Sequence, residues 1–268
     1  MRDVLFVGDV QGCATELYDL LGTAGFDPTQ HRLALCGDLI NRGPDSAGVL
    51  DLARRLDAVT VIGNHEVALL EGDRSPTLDL VREQLGSSLE DWLGWLRSRP
   101  LFIREHGYIL VHAGIPPGKR PEECTRTELT EIRIVDGRPW FDLWRGPETV
   151  IFGHWAQRGK VDLPLCKGLD TGCVYGGRLT GLWWPRLEWV SVQARRRWFE
   201  RAKPGDACRA PSLRRIVSSA GLLRLPTVPA TPGRTSSRVP SRGQPHAGSR
   251  WSCATPQTRE AFSWVFSA

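Results

Sequence analysis

Residues 4–13 read VLFVGDVQGC, four apolar residues closed by a glycine and an aspartate, and the same arrangement returns along the chain. Leu33 to Cys36 runs into GDLINRGPDS (37–46) and Val59 to Ile62 into GNHE (63–66). Tyr108 to Val111 runs into HAG (112–114), and Val150 to Phe152 into GH (153–154). Short β-rich apolar runs that end in small or polar residues, with helical patterns after them, are the grammar of an α/β fold. Helical patterns fall near Thr15 to Thr23, Ser46 to Leu56 and Thr77 to Arg97. Two late strands, Leu179 to Trp184 and Leu187 to Val192, are predicted to pair as a hairpin around Pro185. No internal repeat is present.

Five polar side chains therefore follow the carboxyl ends of five predicted strands: Asp9, Asp38, Asn64, His112 and His154. In an α/β sheet those ends converge on one crevice, where ligands bind. Oxygen and imidazole donors together suit divalent ions such as manganese, iron, zinc or magnesium. A carboxylate placed between two ions can bridge them, and a two-metal centre binds phosphate oxygens and makes hydroxide available at neutral pH. A lone histidine after a strand is usually a hydrogen-bonded structural residue. The inference comes from the ordered set.

Composition bounds the rest. With 268 residues, 41% hydrophobic and 24% charged, the chain is neither disordered throughout, nor collagen, nor coiled coil. The net charge of +5 is unevenly distributed. Residues 1–194 hold 21 Lys and Arg against 27 Asp and Glu, whereas residues 195–268 hold 14 against 3. The basic end, with stretches such as TVPATPGRTSSRVPSRGQPHAGSR, shows no apolar period and is expected to be disordered from about Pro204, with a short ordered piece at Leu213 to Leu225. No segment reaches the roughly 18 apolar residues of a membrane span, and the start lacks the apolar stretch of a signal peptide. Seven cysteines, odd in number and without a CxxC pair, suit reduced thiols. A cytoplasmic protein with no membrane contact is expected.

The ordered motifs GD-x-[HQ]-G, GD-x-x-[DN]-RGP, GNHE, HAG and GH resemble those of the metallophosphoesterases, in the phosphoprotein-phosphatase branch. GDVQGC, NRGPDS, FGHWA and LDTGCVYGGRLT are most similar to the bacterial symmetrical bis(5′-nucleosyl)-tetraphosphatases. The resemblance covers residues 1–194, taken as the catalytic domain. It implies a calcineurin-like fold of two facing mixed β-sheets with helices outside. It also implies two divalent metal ions, with manganese expected first and iron, zinc, cobalt or magnesium as alternatives. Asp9, Gln11 and Asp38 would hold the first, and Asp38 would bridge to a second held by Asn64, His112 and His154. A bridging hydroxide would attack phosphorus. Arg42 would neutralise phosphate oxygens, and His65, oriented by Asn41, would protonate the leaving oxygen. Arg133 would be a second phosphate-binding arginine; its alternative is a solvated face.

Three departures from the family pattern bear on chemistry. Gln11 stands where many members place a histidine ligand, and an amide oxygen is the poorer donor. Asn41 replaces an aspartate; its oxygen can fix the His65 tautomer but cannot stabilise imidazolium by charge, so a lower His65 pKa is expected. Only 39 residues separate Gly114 from His154, too few for the helical cap of the full-length tetraphosphatases. Trp140, Phe141, Trp144, Trp155 and Tyr175 are candidates for stacking a nucleobase, against a core or lid role. Asp170 to Gly172 is expected to shape a loop, and Glu66 to help place one.

The expected activity is thus hydrolysis of phosphoanhydride or phosphoester bonds, first in dinucleoside polyphosphates. The alternative is a serine/threonine phosphatase or broad phosphomonoesterase acting on phosphoproteins or small esters. A third reading is a non-catalytic phosphate- or nucleic-acid-binding protein, with the arginine-rich end as the nucleic-acid contact.

Overall fold

A computed structural model of the protein describes residues 2–200. The basic end from Arg201 onward, with the expected disorder, the Leu213 to Leu225 piece and any nucleic-acid contact there, lies outside the described residues.

The first half alternates β1 (Val4–Val7), α1 (Ala14–Thr23), β2 (Arg32–Leu35), α2 (Ser46–Arg55), β3 (Val59–Thr60) and α3 (Asn64–Leu70). Right-handed βα units of this kind force parallel pairing, and β1, β2 and β3 are parallel neighbours. The helical region expected over Thr77 to Arg97 is two helices, α4 (Pro76–Leu85) and α5 (Leu89–Arg97). Gly86, at φ +51°, turns the chain between them. The second half holds β4 (Phe102–Glu105), β5 (Tyr108–Val111), α6 (Arg126–Glu131), the hairpin β6 (Ile134–Val135) and β7 (Arg138–Pro139), α7 (Trp140–Leu143), β8 (Thr149–Phe152), β9 (Val161–Leu163) and β10 (Cys166–Gly168). It closes on β11 (Arg178–Trp184) and β12 (Glu188–Gln193), the hairpin expected around Pro185.

Two five-stranded mixed sheets result, in the orders β12-β11-β1-β2-β3 and β4-β5-β8-β10-β9. The period-2 alternation of buried strands decides what each face meets. On β1, Val4 and Phe6 join Tyr108 and Leu110 of β5 and Ile151 of β8 in a layer between the sheets. Their neighbours Leu5 and Val7 face outward against α1 and α2, through Leu17, Leu20, Val49 and Leu50. Ile109 and Val111 do the same on the second sheet, under Leu129, Trp140 and Phe141. Each fully buried large side chain contributes roughly 1.5–3 kcal/mol by leaving water. Trp140, Phe141 and Trp144 therefore serve the core, the role set against base stacking for them. Strands buried on both faces read as continuous apolar runs, which is how β1, β5 and β8 were legible.

Among the described residues no helix is long and apolar enough to cross a membrane.

Candidate active site

The carboxyl ends of β1, β2 and β3 on one sheet and of β5 and β8 on the other open into a common crevice, so the expected convergence is shared between two sheets. The crevice is lined by Gln11, Asp38, Arg42, Asn64, His65, Arg133, His154 and Asp170 among others. Asp9, Asn41 and His112 lie deeper behind it, each under 5% exposed.

Backbone contacts aim the carboxylates. The His154 N–H donates to both oxygens of Asp9 at 3.0 and 3.1 Å. The His65 N–H, at the start of α3, donates to Asp38 Oδ1 at 3.0 Å. Glycines make these approaches possible. A Cβ on Gly153 would lie 1.9 Å from Asp9 Oδ1, and one on Gly63 would lie 2.3 Å from Asp38 Oδ1. The glycine in each of GH and GNHE is therefore the space a carboxylate occupies.

The imidazoles are oriented from behind. His112 places Nδ1 2.8 Å from the Cys36 carbonyl and Nε2 3.1 Å from Asn64 Oδ1. His154 places Nε2 3.2 Å from the Glu131 carbonyl and Nδ1 2.9 Å from Asn64 Oδ1. With each outer ring nitrogen protonated toward a carbonyl, both inner nitrogens present lone pairs toward the Asn64 oxygen. Ring–carbonyl bonds of this kind fix the tautomer of metal-ligating histidines. Burial, His112 and Arg133 lower the His154 pKa to about 3, so the ring is neutral and able to ligate.

Negative charge is concentrated in the same place. Asp9, Asp38 and Asp170 are all buried. Burial and the charges of Asp170 and Asp38 push the Asp9 carboxyl well above the usual carboxylate range. Burial, opposed chiefly by the Gly172 N–H, raises Asp170 to about 6. Burial also works against ionisation of Asp38, but His112 and His65 hold it at about 2. One oxygen each of Asp9 and Asp38 and one nitrogen of His112 lie within 4.8 Å of one another. Converging lone pairs and crowded carboxylates fit a divalent cation, because a positive charge relieves both.

Gln11 is in the crevice, its amide Nε2 donating to Asp38 Oδ2 at 3.3 Å. His65 sits with Nε2 3.5 Å from Asp38 Oδ2 and Nδ1 2.5 Å from the Asn41 amide nitrogen. The expectation that an Asn41 oxygen would orient His65 is corrected, because that oxygen accepts the Arg42 N–H at 2.8 Å. Donation from the amide nitrogen leaves Nδ1 as acceptor and the proton on Nε2. The His65 pKa is lowered to about 4, mainly by burial and with help from Arg42 and His112 against Asp38. Arg42 lines the crevice, and Arg133 reaches it with Nη2 3.4 Å from the His154 carbonyl.

Two residues expected only to shape loops contribute more than that. Asp170 makes the Asx turn expected of it, accepting the Gly172 N–H at 3.0 Å, and also stands beside Asp9. Glu66 accepts four backbone N–H groups, those of Asp38, Leu39, Ile40 and Gly63, at 2.8–3.2 Å. The GNHE spacing hinted at this, since a glutamate at the third helical position is a capping residue.

A family model described as Calcineurin-like phosphoesterase matches residues 2–177. The chain belongs to this family. Its reaction class is hydrolysis of phosphate ester or anhydride bonds, and the family is metal dependent. Symmetrical bis(5′-nucleosyl)-tetraphosphatase from Methylococcus capsulatus is 35% identical over 248 residues, spanning 66% of this chain and 89% of that protein. The protein of the same name from Nitrosomonas europaea is 32% identical over 258 residues, spanning 68% and 94%. Two thirds of 268 residues falls well short of 248 aligned positions, so these phosphoesterases carry sequence with no counterpart here. A solved structure described as "Crystal structure of a putative diadenosine tetraphosphatase" is 37% identical, covers 72% of this chain and 94% of its own, and superposes with a TM-score of 0.65. A metallophosphoesterase from Sphaerobacter thermophilus, 17% identical at a TM-score of 0.50, shares the fold.

Proposed function

We propose that this phosphoesterase hydrolyses dinucleoside tetraphosphates such as diadenosine tetraphosphate, with two manganese ions as its metals. Asp9 and Gln11 would hold the first ion, Asn64, His112 and His154 the second, and Asp38 both. When bound, the pair would supply a nucleophile at neutral pH and charge to offset phosphate. The protein's own residues do the rest. Arg42 and Arg133 bind and orient phosphate oxygens from the crevice walls. His65 presents its Nε2 proton from the crevice wall, Asp38 and Asn41 orient that ring, and Glu66 holds the Asp38 loop in place. Five free cysteines among the described residues suit the reducing cytoplasm.

The observation that carries the choice of an anhydride is Asn41 beside His65. A neutral amide cannot hold imidazolium at neutral pH, so the site offers weak acid assistance to the leaving group. A nucleoside diphosphate leaves as a phosphate, whose second pKa is about 6, and needs little. A serine alkoxide, with a conjugate acid near the roughly 16 of water, needs much more. The short segment between β5 and β8 favours the second reading, a broader phosphomonoesterase, because it leaves the crevice open.

The test is turnover of diadenosine tetraphosphate by metal-stripped protein resupplied with manganese, products separated by chromatography. Two ADP molecules per substrate are expected. ATP plus AMP would replace symmetrical by asymmetrical cleavage. No nucleotide product, with turnover of a phosphoserine peptide, would overturn the reading in favour of a protein phosphatase.

A further inference from the structure

Residues 195–200 follow β12 and lie beyond the stretch matched by the family, yet they return to the crevice. The backbone N–H of Arg195 donates to Glu16 Oε1 at 3.1 Å, and the indole N–H of Trp198 donates to the same oxygen at 2.8 Å. The Arg195 guanidinium grips both oxygens of Asp19, one turn along α1, at 2.8–3.1 Å. Glu16 is fully buried and plays no part in the chemistry. Its role is legible here, as an anchor for the returning chain. A second attachment follows at once. The N–H groups of Trp198 and Phe199 both donate to the Val174 carbonyl, at 3.0 and 2.9 Å, and Arg197 Nε donates to the Tyr175 carbonyl at 3.3 Å.

The strap ends against Arg42. The Phe199 ring centroid lies 5.6 Å from the Arg42 guanidinium carbon, and that of Tyr175 lies 5.8 Å from it. The two rings meet edge to face at 6.4 Å. Arg42 Nη1 also donates to the Tyr175 hydroxyl at 2.6 Å. Arg42 starts from a backbone at φ +64°, directly after Asn41 at φ +81°. A long side chain on such a turn carries rotamer entropy that phosphate binding would otherwise have to offset. Two aromatic rings and a hydroxyl hold it beforehand.

We propose that Phe199 is a positioning residue, which with Tyr175 holds the Arg42 guanidinium over the crevice for phosphate, so that the segment after β12 completes the site. The inference rests on the phosphate-binding role proposed for Arg42. Its test uses the full chain and manganese, with four variants: Phe199→Leu, Phe199→Tyr, Arg42→Ala and the double variant Arg42→Ala with Phe199→Leu. Leucine keeps apolar volume but removes the π face, and tyrosine keeps both. Binding of inorganic phosphate by calorimetry is the main readout, with kcat/KM on diadenosine tetraphosphate and Tm beside it.

Phe199→Leu is expected to weaken phosphate binding and lower kcat/KM by about two- to fivefold, the size of one cation–π contact, at unchanged Tm. Phe199→Tyr is expected to restore both, and Phe199→Leu to add nothing once Arg42 is gone. A wild-type phosphate affinity in Phe199→Leu, with Arg42→Ala strongly impaired, overturns the inference and leaves the role of Arg42 standing. The same holds if the Phe199→Leu effect persists in full without Arg42. Wild-type phosphate binding in Arg42→Ala overturns the role of Arg42 and the inference together.

Discussion

Gln11, Asp38, Asn41, Arg42 and His154 all have positive φ, between +46° and +81°, and all lie in or directly behind the crevice. Left-handed backbone is uncommon for side chains larger than asparagine, and such strain gathers where the surrounding structure overrides local preference. Here it lifts successive side chains out of tight loops toward one point. Asn41 is at home in that conformation, and its amide also sets the protonation of His65. Replacing Asn41 with Asp places a negative charge against Nδ1, which favours imidazolium and raises the His65 pKa from its lowered value near 4. His65 would then keep its extra proton to higher pH. The Asn41→Asp variant is expected to move the alkaline limb of the pH–rate profile upward and to raise turnover of a phosphoserine peptide relative to diadenosine tetraphosphate. A limb that stays in place, with an unchanged substrate ratio, would refute the pairing.

At the scale of elements, one glutamate ties a helix to a strand end. Glu66, in the first turn of α3, collects the N–H groups of the loop after β2 and of Gly63. Burial and Asp38 push its carboxyl up, while the backbone donors pull it back. A glutamine of the same size offers one acceptor oxygen where the carboxylate offers two, so an amide nitrogen would face two backbone donors. Each unsatisfied buried donor costs about 1–3 kcal/mol. Glu66→Gln is expected to lose about 2–4 kcal/mol of stability in denaturant titration, with weaker metal binding because Asp38 moves with its loop. A loss below about 1 kcal/mol would show that the loop holds its shape unaided. The motif spelling announced a capping residue, but its reach to β2 was not legible, since those partners lie 26–28 residues away and are brought near only by parallel pairing of β2 and β3.

For the whole molecule, the two sheets enclose one apolar layer and meet the metal donors at its end. Three buried carboxylates crowd together there and imidazole lone pairs converge beside them, an arrangement that a cation relieves, so the native state is expected to bind metal more tightly than the unfolded chain. Such a ligand stabilises by mass action, about 2.7 kcal/mol at a hundredfold excess over Kd. Removing metal with a chelator is expected to lower Tm by several degrees, and manganese to restore it in a concentration-dependent way. A Tm indifferent to chelation and resupply would argue against a metal centre.

The α/β grammar and the order of five strand-end donors were legible in local sequence, and the family resemblance added His65, Arg42 and Arg133. These features are local, because a buried strand must be apolar and a loop that aims a carboxylate past a backbone must carry glycine. Local sequence did not show β4, β9 or β10, two of them short edge strands whose residues are half-exposed or exposed and mix apolar with charged side chains. Distances were decided only by tertiary structure. Asp170 beside Asp9, Asn64 between two imidazoles, the Asn41 amide turned nitrogen-first to His65, and Phe199 over Arg42 all join residues from separate elements. Their meeting depends on how two sheets and the helices outside them pack, and packing is a property of the whole chain that no single stretch encodes.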